Sequence, residues 1–211
     1  MKIKSRIDQH KIIVDVKEHT KYGIMLSGGI DSAVLLYLLL VDAREKNFKL
    51  DIQPFSMIKH DHSYKYVNDI IDYFNKQFDT DIPETILVGN PDVHHRMQST
   101  IATGEVFSHH PEIQVLFNGI NQNPPQPWGD PDWEYPNRPA PGYTVKKMQF
   151  PFLHLYKTDI IDLMFEHGQE ALMDLTHTCT ELTDARCGQC FQCSERAWAF
   201  EQLDKIDTGK L

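Results

Sequence analysis

The chain has 211 residues, 41 % hydrophobic and 24 % charged, which suits one globular domain with a sizeable core, or a core domain with a small appendage. Thirty acidic residues against 21 basic ones give a formal net charge of −9, which argues against a broad nucleic-acid surface and makes nucleic acid an unexpected direct substrate. No apolar stretch approaches the ~20 residues of a membrane span, and Met1-Lys2-Ile3-Lys4-Ser5-Arg6 lacks the apolar region of a secretory signal, so a cytoplasmic protein is expected.

In chain order, the apolar run Tyr22-Gly23-Ile24-Met25 predicts a strand, and Ala33-Val34-Leu35-Leu36-Tyr37-Leu38-Leu39-Leu40 predicts a helix. Between them lies Leu26-Ser27-Gly28-Gly29-Ile30-Asp31-Ser32, a glycine-rich turn with the makings of an anion cradle. Gly28 and Gly29 let the backbone turn tightly and approach a phosphate. The turn amides and the helix N-terminus supply donors and partial positive charge, and Ser27 and Ser32 add hydroxyls. No GK[ST] follows, so this is not a Walker loop.

The strand Ile52–Ile58 comes next, then a helix with apolar positions at Tyr66, Val67, Ile70, Ile71, Phe74 and Phe78. A strand at Thr85–Val88, a helix from about Val93 to Phe107 and a strand at Ile113–Gly119 continue the alternation. Such a βαβαβαβ rhythm predicts an α/β fold with a doubly wound, mostly parallel sheet, whose ligands bind at the carboxyl ends of the strands. Of the histidines, His60 follows the second strand and is the one expected near such a site; His62, His94, His95, His109 and His110 lack an acidic partner nearby in sequence and read as surface or loop residues.

Residues 121–147 hold seven of the chain's twelve prolines and break the pattern. Trp128, Trp133, Tyr135 and Tyr143 argue against disorder, and the stretch reads as a substrate-facing loop, with a subunit contact as the alternative. A helix is then predicted over Thr158–His167, with Thr158 as cap, Asp159 and Asp162 in its first turn and Gly168 at its end. A closing helix, capped by Ser194, is predicted to Gln202. The expected organisation is an ATP-binding α/β domain over residues 1–175 and a metal-binding segment over 176–211 packed on it.

The four cysteines, Cys179, Cys187, Cys190 and Cys193, fall within fifteen positions, the last three as two CxxC units end to end. Two residues between thiolates lets successive cysteines reach one ion, and four sulfurs with no position open for water suit structural zinc. An iron–sulfur cluster or two disulfides are the alternatives.

The SGGIDS turn resembles the pyrophosphate loop of the N-type ATP pyrophosphatases, which cleave ATP between its α and β phosphates. Followed by the cysteine cluster, it resembles one branch of that superfamily, the 7-cyano-7-deazaguanine synthases of queuosine biosynthesis. Three segments add to this: Phe152-Leu153-His154-Leu155-Tyr156-Lys157-Thr158-Asp159-Ile160; Tyr135-Pro136-Asn137-Arg138-Pro139, which is similar to that family's YPDCRP loop with one residue missing and Asn in place of Asp; and Cys187-Gly188-x-Cys190-x-x-Cys193-Ser194-Glu195-Arg196-x-x-x-Phe200. Residues 60–110 resemble the family least.

The resemblance implies conversion of 7-carboxy-7-deazaguanine, ammonia and ATP to the 7-nitrile through an adenylated acid and an amide. It implies Mg²⁺ with the ATP, one structural Zn²⁺ and a homodimer. Leu26 to Ser32 and Lys157 would bind ATP, with Asp31 organising the loop or the Mg²⁺ and Lys157 opposing charge on the leaving pyrophosphate. Arg138 would pair with the substrate carboxylate, and Asn118, Asn121, Asn137 and His60 would contact the base. The alternatives are an enzyme that stops at the 7-amide, one that attaches a deazaguanine to a macromolecule, a tRNA thiolase-like enzyme, and a non-catalytic zinc-containing binding module.

Overall fold

The computed structural model describes residues 1–7, 9–125, 128–129, 138–140 and 143–209, with the backbone alone at 95 and 96. The chain opens with an antiparallel hairpin of β1 (Lys2–Lys4) and β2 (Lys11–Ile13), which has no counterpart among the expected elements. The main sheet has β3 (Tyr22–Met25), β4 (Ile52–Met57), β5 (Ile86–Val88), β6 (Val115–Asn118) and β7 (Met148–Gln149), in the spatial order β5-β4-β3-β6-β7. Every pairing in it is parallel, with Met25 beside both Phe55 and Asn118.

Helices cover both faces, as a doubly wound sheet requires. On one face, Ile24, Leu26, Ile52 and Phe117 pack with residues of α1 (Ile30–Glu45), α2 (Val67–Phe78) and α4 (Lys157–Glu166). On the other, Met25, Phe55, Val88 and Leu116 pack with Ala102 and Val106 of α3 (His95–His109). The uninterrupted apolar run of α1 reflects its position: Ile30 and every residue from Ser32 to Leu40 are buried, so no face needs to be polar. In α2, by contrast, Val67, Ile70, Ile71 and Phe74 form a buried stripe at helical spacing.

Three helix starts differ from expectation. The first helix begins at Ile30, inside the glycine-rich motif, with Gly29 as an N-cap that offers no side-chain bond to its first amides. Tyr156, and not Thr158, caps α4; its amide donates to Asp159 Oδ2 at 3.0 Å, the return half of a capping arrangement. Beyond the short α5 (Leu172–Leu175), α6 (Phe191–Gln202) is capped by Cys190, so Ser194 lies within the helix and its amide bonds to the Cys190 carbonyl. The cysteine-bearing turn, not a hydroxyl cap, sets where this helix starts.

The chain leaves β3 toward β4 on one side and returns from β5 to β6 on the other. The sheet therefore has its topological switch point between β3 and β6, where doubly wound folds open a crevice at the strands' carboxyl ends. The glycine-rich turn after Met25 lies at that point. No helix among the described residues is long and apolar enough to cross a membrane.

Candidate functional site

The loop is held shut by its own hydroxyls. Ser27 Oγ and Ser32 Oγ lie 3.1 Å apart, the Gly29 amide donates to Ser27 Oγ at 3.3 Å, and Ser32 Oγ donates to the Gly29 carbonyl at 3.1 Å. Ser32 is buried and does not line the adjoining cavity, whereas Ser27, Gly29, Ile30 and Asp31 do. The hydroxyl expected to meet a phosphate thus braces the turn instead. Leu26 is fully buried, and its amide bonds to the Phe55 carbonyl at 2.8 Å, anchoring the turn to β4.

Gly28 has φ +79°, and a Cβ there would lie 2.2 Å from the Ser63 carbonyl oxygen. Both the backbone conformation and the space demand glycine. Gly28→Ala is expected to cost at least ~2 kcal/mol, from left-handed backbone strain and the clash together, and to abolish nucleotide binding. Urea titration and equilibrium binding of a non-hydrolysable ATP analogue check this. Gly119 matters for a different reason: a Cβ would meet Ser32 Cα and N at 3.2 Å, so the chain leaving β6 packs directly on the start of α1.

Four charged side chains from distant stretches form ion pairs in the wall of a cavity of about 130 Å³ next to this loop, which Lys59 and Asp61 also line. Lys157, at the start of α4 and 5 % exposed, forms an ion pair with Asp31, and its Nζ lies 3.7 Å from Glu195 Oε2. Arg138 grips Glu195 with both ends of its fork, at 2.7 and 3.0 Å, while Nη1 also donates to the Gln122 carbonyl at 2.6 Å. Glu195 is 1 % exposed. Asp31 Oδ1 is buried without a hydrogen-bond partner among the described residues, which leaves it free to accept a ligand.

The other expected contacts are not all brought here. His60 is exposed and outside the cavity wall; its neighbours Lys59 and Asp61 line it, because the chain past β4 turns the intervening residue outward. Asn118 uses Oδ1 to accept from the Ile120 amide at 3.0 Å, and Asn121 is buried; neither lines the cavity. Trp133, Tyr135 and Asn137 lie outside the described residues, as does the His95 side chain.

The cysteine segment forms another wall. The four sulfurs of Cys179, Cys187, Cys190 and Cys193 lie within 4.8 Å of one another and none is in a disulfide, so the cluster can hold a metal ion. Amides of Leu182 and Cys190 donate to Cys179 and Cys187 at 3.3 and 3.2 Å, the outer contacts that favour thiolates. Thr178, Cys179 and Thr180 line the cavity, and the His177 amide bonds to the Gly28 carbonyl at 2.9 Å. The His177 ring stacks on Tyr66 at 4.8 Å, and Tyr66 donates to the Thr183 carbonyl at 2.7 Å. Arg196 secures the same segment through Thr178 at 3.0 Å and Asp207 at 2.7 Å; burial pulls its pKa below the usual arginine value although Asp207 opposes this.

The family described as "Queuosine biosynthesis protein QueC" matches residues 51–204. The chain belongs to the QueC family. The matched span runs through residues 60–110, where the resemblance had been weakest, and begins after the glycine-rich loop. It takes in Arg138, Lys157, the four cysteines and Glu195, so only Asp31 of the charged quartet lies outside it.

A 7-cyano-7-deazaguanine synthase from Acidobacterium capsulatum is 36 % identical over 61 residues, 29 % of this chain and 26 % of the relative; the aligned stretch is thus about a quarter of that protein's length. Among solved structures, Candida glabrata FMN adenylyltransferase has a TM-score of 0.43 at 18 % identity, covering 69 % of this chain and 48 % of its own. The U34-tRNA thiolase NcsA of Methanococcus maripaludis has a TM-score of 0.47 at 13 % identity, covering 89 % and 65 %.

Proposed function

We propose that this QueC-family chain uses ATP to convert 7-carboxy-7-deazaguanine and ammonia into 7-cyano-7-deazaguanine. The observation that carries the reading is the meeting of Asp31, Lys157, Arg138 and Glu195 beside an N-terminally uncapped helix at the switch point of the sheet.

A carboxylate is a poor electrophile. Its oxygen attacks the α-phosphorus of ATP, the α–β bridging bond breaks, and pyrophosphate leaves. Ammonia then adds to the acyl carbon, AMP departs, and the amide forms with loss of a proton. A second ATP activates the amide oxygen, and elimination of that oxygen with its phosphate and the amide protons leaves the nitrile.

Each activation builds negative charge on the departing phosphates. The first amides of α1, with Gly29 giving them no side-chain partner, and the Lys157 ammonium are placed to oppose it. Asp31 Oδ1, a buried oxygen without a partner, fits a Mg²⁺ ligand, and that ion when bound neutralises phosphate charge. Arg138 lines the cavity with its fork on Glu195 and would receive the substrate carboxylate at its remaining edge. Asn137, beside it in sequence, is assigned to the base edge.

The cysteine cluster fits one structural zinc. Four ligands at ~2.3 Å from one ion sit ~3.8 Å apart, whereas a four-iron cluster would spread them further. Separations within 4.8 Å favour the single ion.

The test is mass spectrometry of a reaction holding Mg-ATP, ammonium and 7-carboxy-7-deazaguanine. The nitrile with AMP and pyrophosphate is the expected outcome. Amide alone would mean an enzyme that stops halfway, with Asn137 the first residue to revert to Asp. No product from a protein that still binds ATP would overturn the proposal and leave attachment of the base to a macromolecule, thiolation or a binding role.

A further inference from the structure

We propose that Glu195 is a positioning residue and internal counter-ion, which holds Arg138 and Lys157 at the cavity wall and offsets their charge so that pyrophosphate can leave. The inference rests on the ATP chemistry proposed above and goes beyond it by assigning a role to a carboxylate which that chemistry does not use.

Glu195 is 1 % exposed, yet its two oxygens are directed at cations from two separate parts of the chain. Arg138 makes the bidentate pair at 2.7 and 3.0 Å, and Lys157 Nζ stands 3.7 Å from Oε2. Without this carboxylate, the cavity wall would carry Lys59, Arg138 and Lys157 against only Asp31 and Asp61, an excess of one cation. Buried groups of this kind interact strongly because little water screens them.

An unbalanced pair of cations would bind pyrophosphate tightly in the ground state, where tight binding does not speed the chemical step. The cost would recur, because each nitrile requires two activations and so two departures of the phosphate product. Glu195 also comes from α6, the helix that carries Cys193, so its pairs tie the two cations to the cysteine-bearing segment. Neutralising Glu195 keeps the shape and one acceptor but removes the charge.

The experiment is calorimetric binding of inorganic pyrophosphate with Mg²⁺, and steady-state kinetics, on the wild type, Glu195→Gln, Glu195→Asp, Arg138→Gln and the double Arg138→Gln/Glu195→Gln. Metal content and thermal melting are recorded for each. Glu195→Gln is expected to bind pyrophosphate roughly five- to tenfold more tightly. Its KM for ATP should fall together with kcat, a split that loss of packing would not produce. Glu195→Asp keeps the charge and should bind pyrophosphate much as the wild type does.

Should Glu195→Gln not fold, the double variant, neutral again, is compared with Arg138→Gln; tighter binding in the double supports the same role. Unchanged or weaker pyrophosphate binding in folded Glu195→Gln, or no gain in the double over Arg138→Gln, overturns the proposal. A wild type that binds neither Mg-ATP nor pyrophosphate removes the ATP reading and this inference with it, an outcome distinct from wild-type binding that Glu195→Gln leaves unaltered.

Discussion

Lys157→Met is expected to lower ATP-dependent turnover by about 10²–10³-fold, roughly 3–4 kcal/mol of transition-state stabilisation, while the protein stays folded. The side chain is buried at the start of α4, between Asp31 of the loop helix and Glu195 of α6. Methionine matches its length and fills the same space, so packing is kept and the charge alone is lost. Glu195 retains its bidentate partner Arg138, and Asp31 keeps some contact with solvent, so neither anion is left both buried and alone. Pyrophosphate release in a single turnover is the informative measurement. Turnover within a few-fold of wild type would remove Lys157 from the chemistry and leave it as a strut between helices.

Emptying the cysteine cluster of the zinc proposed for it should have an effect of similar size by a different route. Structural zinc contributes ~10–16 kcal/mol in small cysteine-bound sites near neutral pH, comparable to the whole stability of a domain. An ion held by the four cysteines would tie residues 179–193 together, and the adjoining His177 amide bonds to the Gly28 carbonyl of the glycine-rich loop. Cys190→Ser, or chelation of the wild type, is therefore expected to lower the melting temperature by roughly 10 °C or more. ATP-analogue binding should be lost with it, although no cysteine needs to touch the nucleotide. Metal analysis, calorimetry and analogue titration on one preparation check this. Analogue binding unchanged in metal-free protein would separate the two sites.

The parts of the fold that could be foreseen share a physical cause. The strands β3, β4, β5 and β6 are parallel or flanked by parallel neighbours and are covered by helices, so their sequences are short apolar runs bounded by turn residues. The hairpin β1–β2 and the two-residue β7 escaped because they are too short for any period to develop, and β1 and β2 carry lysine on their open sides. The anion loop and cysteine box were legible because their chemistry needs particular residues at fixed spacing.

Ser32 shows the limit of that logic. A hydroxyl in such a motif can face a phosphate or brace the turn, and here Ser32 Oγ donates to the Gly29 carbonyl at 3.1 Å and lies 3.1 Å from Ser27 Oγ, a bracing position that sequence alone does not reveal. Glu195 was hidden more deeply. A carboxylate on the first turns of a helix usually faces water, and this one is buried because Arg138, 57 residues earlier, returns to meet it. The available signal was its neighbour Arg196: adjacent opposite charges on an otherwise apolar helix flank, directly after a metal box, are hard to solvate together.

The four charges at residues 31, 138, 157 and 195 also bear on the order in which the protein becomes competent during synthesis. The five-stranded sheet and the helices through α4 are complete in sequence by residue 166 and can begin to fold as the chain emerges. At that stage Asp31, Lys59, Asp61, Arg138 and Lys157 have all been made, but the walls from His177 to Glu195 have not. A nascent chain would thus carry the glycine-rich loop without the wall that completes the cavity. The proposed activity would then await the docking of α6 and the filling of the cysteine cluster, which belong to the same late segment.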